Sequence, residues 1–221
     1  MRKPLLLLLW LWMCGVIVAG YHWAPLAEGF KGDSSRILFF HVPVAWVSFV
    51  AFMAAGVSSI RFLAGRREAR HDRSAAVAVE LGLLFALLAT LTGAIWARIE
   101  WGAWWNWDPR QTSIVVAMLF YAAYLALRSA IADQESRGRL SAAYATLGLV
   151  VAPFFYFILP RLAFTLHPEP VVNASAEVDV DPRMLTVLLA SSAGFTVLYF
   201  WIHRLRGRLA GIELRRDEGT E

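Results

Sequence analysis

Residues 75–97 read AAVAVELGLLFALLATLTGAIWA, twenty-three positions with a single charge, Glu80. As a helix that run is about 35 Å long at 1.5 Å per residue, enough to cross a hydrocarbon core of about 30 Å. Five further runs of comparable length and polarity flank it: Leu5–Ala24, Leu38–Leu63, Thr112–Ala132, Ser141–Pro160 and Met184–His203. The connectors are short and rich in Gly, Pro or charge, and neither an internal repeat nor a low-complexity linker separates the runs. The pattern predicts an all-α, polytopic membrane protein with six transmembrane helices, forming a single domain over 1–221.

Composition closes off the other classes. Of 221 residues, 58% are apolar or aromatic and 17% are charged, whereas a soluble globule carries about a quarter charged residues. Intrinsic disorder is excluded by the same figures, since a disordered chain is poor in apolar residues. The single cysteine, Cys14, excludes a disulfide scaffold, a Cys-based zinc site and a dithiol redox centre. Arg2 and Lys3 ahead of a leucine run resemble a secretory signal, but the run is too long and Val18-Ala19-Gly20 is a poor cleavage site, so a retained helix is expected.

Lysine and arginine divide unevenly between the two sides implied by six crossings. Fifteen fall at the amino end, the second-to-third and fourth-to-fifth connectors and the tail; six fall in the three remaining connectors. The positive-inside bias places both termini in the cytoplasm. It also accounts for the net charge of +4 without a nucleic-acid partner. Neither a Walker A sequence nor a glycine-rich phosphate loop occurs, so any ATP use belongs to another subunit. The lack of a C-x-x-C-H motif rules out covalent c-type haem attachment to this chain.

Three segments then lie outside: about 25–37, 98–111 and 161–183. The middle one, Trp101 to Ser113, reads WGAWWNWDPRQTS. Trp101, Trp104 and Trp105 are spaced to share one helical face, with Trp96 and Trp107 adjoining. An interfacial aromatic belt and a platform for a flat ligand or partner both fit that spacing. Asp108, Pro109 and Gln111 form an N-cap, a first-turn proline and a capping-box glutamine, so Asp108 is expected to start the fourth helix. His41, in the outer part of the second helix, and His167, in the third outer segment, lie on the same side, each followed within two residues by proline. A lone histidine in apolar surroundings is more often a hydrogen-bonded core residue; two of them flanking a tryptophan cluster also suit axial ligation of haem iron. Arg36, Arg98, Arg110, Arg161 and Arg183 are the nearby cations for propionates. Inside the membrane, Glu80 is read as the structural partner of Arg128. His71 and His203 form a possible inner pair, more simply read as solvated surface histidines.

Taken together these motifs resemble the cytochrome c maturation protein C family (CcmC, haem exporter protein C). WGAWWNWDPRQTS resembles its tryptophan-rich "WWD" signature, Gly32 to Pro43 resembles the segment around its first haem-ligating histidine, and Thr165-Leu166-His167 the segment around its second. The resemblance implies an inner-membrane protein, not an enzyme, that holds non-covalent, transient haem b at the periplasmic face. It implies His41 and His167 as axial ligands, Trp101, Trp104, Trp105, Trp107 and Asp108 as the haem platform, and Arg36 and Arg110 as propionate contacts. It further implies delivery to the haem chaperone CcmE within an ABC transporter complex of CcmA and CcmB, with the small helper CcmD. Two rival functions remain open on the residues: a b-type electron-transfer subunit with haem on both sides, and a permease for haem or another solute.

Overall fold

In a computed structural model the chain is all helical, without a strand among the described residues, which are 3–65, 68–168 and 180–218, with side chains to 212. Arg66 and Arg67, the side chains of Arg215 and Arg216, and residues 169–179 of the third outer segment lie outside them. Helix α1 spans Lys3–His22, α2 Leu38–Ala64, α3 Ala69–Trp101, α4 Pro109–Ala130, α5 Gln134–Pro153, the short α6 Leu159–Leu162 and α7 Pro182–Glu218. A 3₁₀ turn, Gly32–Ile37, leads into α2, and a π-helical turn, Phe154–Ile158, joins α5 to α6. Six helical segments are long and apolar enough to cross a membrane. Each of the six apolar runs coincides with one of them, and α3 and α7 continue well past their runs at the charged end.

Lipid tails are as apolar as leucine, so close packing rather than water exclusion joins the helices. Small side chains supply it. Ala51, Ala55, Ser58 and Ser59 of α2 and Ala75, Ala78, Ala86 and Ala89 of α3 are buried, and these two helices make the largest contact in the bundle. Around them Phe52 stacks flat on Tyr121 of α4 at 3.6 Å between ring centroids. Leu7, Leu8, Trp10 and Leu11 of α1 are exposed, as lipid-facing residues should be. The opposite side of α1 joins the bundle: Val16 packs with Phe39, Met184 and Leu188, and Trp12 Nε1 donates to the Ala190 carbonyl at 2.9 Å.

The ion pairs differ from the sequence expectation. Arg128 does not meet Glu80; it forms a two-pronged pair with Asp72, at 2.5 and 2.9 Å, and lies over the Tyr124 ring. Glu80 pairs instead with Arg206 of α7 at 2.5 Å. The physical reason is helix length. Helix α3 begins at Ala69, before its apolar run, which puts Asp72 on an ordered turn opposite Arg128. Helix α7 carries arginines past its own apolar run to the level of Glu80.

Candidate functional site

The two histidines are held by different means at the same end of the bundle. His41 lies near the start of α2. Pro43, two residues on, does not mark a boundary; it sits inside the helix, where it lacks the N–H that would bond the Phe39 carbonyl. Ser191 of α7 donates its hydroxyl to that carbonyl, the kind of repair a helix in lipid requires. The proline therefore ties α2 to α7 beside His41. Across from it, α3 presents Thr92 and Gly93. A Cβ on Gly93 would lie 2.9 Å from His41 Cε1, so only glycine admits the ring at this depth.

Thr92 fixes the tautomer. Its hydroxyl donates to the Leu88 carbonyl at 2.8 Å, with the Ala89 carbonyl at 3.1 Å. That single proton is committed, so its oxygen accepts from His41 Nδ1, 3.1 Å away. His41 Nδ1 carries the hydrogen, and Nε2 carries the free lone pair.

His167 sits outside any helix and is held by Asp108. This carboxylate is 3% exposed as a residue and caps α4 by accepting from the Arg110 N–H at 2.9 Å. It also accepts from Thr165 Oγ1 at 2.8 Å, the Leu166 N–H at 2.7 Å and His167 Nδ1 at 2.7 Å. Burial pushes its pKa upward, but the bonds from Thr165, Leu166 and Arg110 outweigh that and hold it below its ordinary 3.8. An ionised carboxylate only accepts, so His167 Nδ1 donates and Nε2 is again the bare nitrogen. Burial, reinforced by the Arg110 charge, lowers the His167 pKa despite the attraction of Asp108. The ring is neutral near pH 7, the form that ligates metal. His41 and His167 are near enough to interact electrostatically.

The tryptophans split into two groups. The expected single helical face over Trp101, Trp104 and Trp105 does not form, because α3 ends at Trp101 and Gly102 adopts φ +79° as its left-handed C-cap. Trp101 meets His167 edge-on at 4.9 Å between centroids, and Trp96 lies 5.7 Å from the same ring. Trp96, which the sequence places only beside the cluster and not on the expected haem platform, is brought against His167 together with Trp101. Its Nε1 is buried with no hydrogen-bond partner among the described residues. Trp104 and Trp107 instead face outward, 58% and 76% exposed, and Trp105 meets Trp107 edge-on at 5.8 Å. Trp107 holds φ +56°, a strained value for a bulky residue.

Gln111 departs from the capping-box expectation: its side-chain oxygen accepts from the Asn106 N–H at 3.0 Å, two residues before the cap, and so braces the tryptophan loop. Arg36 pairs with Asp33 at 2.8 Å and donates to the Gly20 carbonyl at the end of α1. Lys31 closes the end of α3 through the Ile99 and Glu100 carbonyls. Both cations satisfy helix C-termini. Arg98 and Arg161 donate to the Gly102 and Phe157 carbonyls, and Arg183 pairs with Asp181. At the opposite end of the bundle, His203 Nε2 donates to the Ser74 carbonyl at 3.1 Å. That nitrogen is thereby occupied, and the His71 side chain has no hydrogen-bond partner among the described residues.

Fold and site together define a multi-pass membrane protein with two imidazoles at one end of the bundle, beside an aromatic, partly exposed loop. Residues 2–220 match the family described as Heme exporter protein C (CcmC). The Heme exporter protein C of Bradyrhizobium diazoefficiens is 32% identical over 173 residues, covering 78% of this chain and 65% of the relative. That of Rhodobacter capsulatus is 30% identical over 93% of this chain and 84% of its own length. That of Haemophilus influenzae is 31% identical over 94% and 83%. The chain belongs to the Heme exporter protein C family, and it is a multi-pass protein of the inner membrane.

Proposed function

We propose that this protein handles haem for c-type cytochrome maturation, holding it at the histidine end of the bundle and passing it to a periplasmic chaperone. Haem handling is what the relatives' name states, and family membership carries it to this chain. The single observation that supports the finer reading is that two independent hydrogen-bond arrangements leave the same kind of atom free. His41 Nε2 and His167 Nε2 both carry lone pairs, one backed by a hydroxyl and the other by a carboxylate. A carboxylate that accepts from one nitrogen of an imidazole raises the basicity of the other as a ligand.

In this reading His41 and His167 ligate the iron of haem b, and Trp96 and Trp101 shelter the ring edge. The Trp96 N–H, without a partner among the described residues, is available to a propionate, and Arg36 and Arg110 are the cations expected to meet the propionates. Asp108 is a positioning residue, holding His167 and starting α4 at once. Trp104, Trp105 and Trp107 form the outward surface on which the chaperone CcmE docks. Both termini lie in the cytoplasm, the six helices act as one domain over 1–221, and CcmA, CcmB and CcmD complete the assembly. The chemistry is ligand exchange, so the protein is no enzyme.

The test is the absorption spectrum of the purified protein loaded with haem. Wild type should give the low-spin spectrum of two axial imidazoles; His41→Ala and His167→Ala should each lose it and retain at least tenfold less haem. Membrane insertion should be unchanged. Equal haem content and equal spectra in all three proteins would remove both histidines from the site.

A further inference from the structure

The other end of the bundle carries a cleft of about 280 Å³ between the first turns of α3 and the last part of α7. Arg70, Arg73 and Ser74 line it from α3, and His203, Arg204 and Arg208 from α7, with Gly207 leaving open space between them. Among the described residues, the acidic groups nearby are already engaged. Glu68 pairs with Arg70 at 2.5 Å, Asp72 with Arg128 and Glu80 with Arg206. Arg73, Arg204 and Arg208 have no acidic partner among the described residues, so the cleft holds an excess of positive charge. The amino end of α3, whose N-cap Glu68 makes no side-chain cap bond, adds the positive end of a helix dipole.

Depth decides what kind of anion belongs there. The apolar run of α3 begins at Ala75 and that of α7 ends at His203. The arginines therefore stand one to five residues outside the apolar runs, within about a turn and a half of their ends and so at headgroup level, while the cleft opens between two membrane-crossing helices. Basic pockets between transmembrane helices on the arginine-rich side are suited to anionic headgroups, and guanidinium groups match phosphate oxygens by paired hydrogen bonds. We propose that this cleft is a binding site for the phosphodiester headgroup of an anionic phospholipid, seated between α3 and α7. This proposal does not depend on haem binding at the other end.

The experiment uses the full chain in nanodiscs of phosphatidylcholine, with phosphatidylglycerol added, and reads retained lipid by native mass spectrometry. Phosphatidylglycerol should be retained in preference to phosphatidylcholine. Arg73→Gln with Arg208→Gln should weaken that retention about thirtyfold, roughly fivefold for each arginine near the surface. Arg73→Lys with Arg208→Lys should keep most of it, which separates loss of charge from loss of fold. Millimolar inorganic phosphate should leave retention unchanged. Equal retention by wild type and the glutamine variant would overturn the site, and full displacement of the lipid by inorganic phosphate would overturn its assignment to a lipid.

Discussion

His41 and His167 are chemically the same side chain in two different kinds of setting. His41 belongs to a helix, is wedged against a glycine and is oriented by a neutral hydroxyl. His167 belongs to a loop and is oriented by one buried carboxylate that also caps a helix. The position of the first is distributed over the packing of α2, α3 and α7. The position of the second is concentrated in Asp108. Distributed restraint tolerates the loss of any one contact, and concentrated restraint does not.

Asp108→Ala tests that contrast most severely. It removes the acceptor for Arg110, Thr165, Leu166 and His167 together, where a hydrogen bond to a charged group contributes about 1.5–3 kcal/mol. The Leu166 and His167 amides should exchange about a hundredfold faster with solvent, by hydrogen–deuterium exchange, and haem retention should fall with them. Unchanged exchange would mean that the loop is held by something else. Next is Gly93→Val, which forces the His41 ring out of its seat. Haem retention should drop about thirtyfold while the amides near His167 stay protected, since overpacking typically costs about 1–3 kcal/mol locally. Loss of protection at both histidines would erase the distinction between the two settings.

Thr92→Val is milder. It keeps the shape but removes the hydroxyl that accepts from His41 Nδ1–H, a loss of about 1 kcal/mol; haem should bind about fivefold less tightly in a titration followed by absorbance. The smallest effect is that of pH. His167 has its folded-state pKa lowered below 6.5, so the folded chain binds fewer protons there than the unfolded chain. Its contribution to stability is complete above that ordinary value and erodes as pH falls below it. Asp108, lowered from 3.8, keeps its full contribution at neutral pH and loses it only as pH falls below the ordinary carboxylate range. Acidification from neutrality should therefore loosen the His167 loop several-fold first, as read by exchange at Leu166, with His167→Gln insensitive over the same interval. An identical acid response in wild type and His167→Gln would assign the transition to another group.

Much of this was legible in the chain alone. Twenty-residue apolar runs have one solution in a bilayer, since helices satisfy every backbone group internally, and the six segments follow from hydropathy. Asp108 as the start of α4 was equally legible, because a cap and a following proline are local chemistry. Pairings that cross between helices were not. Asp72 with Arg128 and Glu80 with Arg206 depend on how far α3 and α7 extend beyond the apolar runs, and hydropathy marks only the runs. The split of the tryptophans turned on Gly102, whose left-handed turn ends a pattern that reads as one continuous face.

Sequence, then, determined what each segment is: which stretches cross the membrane, which end is arginine-rich, and which residue types gather at the other end. Only the tertiary structure decided what each polar group is for. It spent the Arg36 charge on a helix end, gave the carbonyl freed by Pro43 to Ser191, and left both imidazoles with Nε2 bare. The reason is that helical propensity and hydropathy act within a segment. A hydrogen bond's direction, and hence a tautomer, is set by the one neighbour that packing brings within about 3 Å.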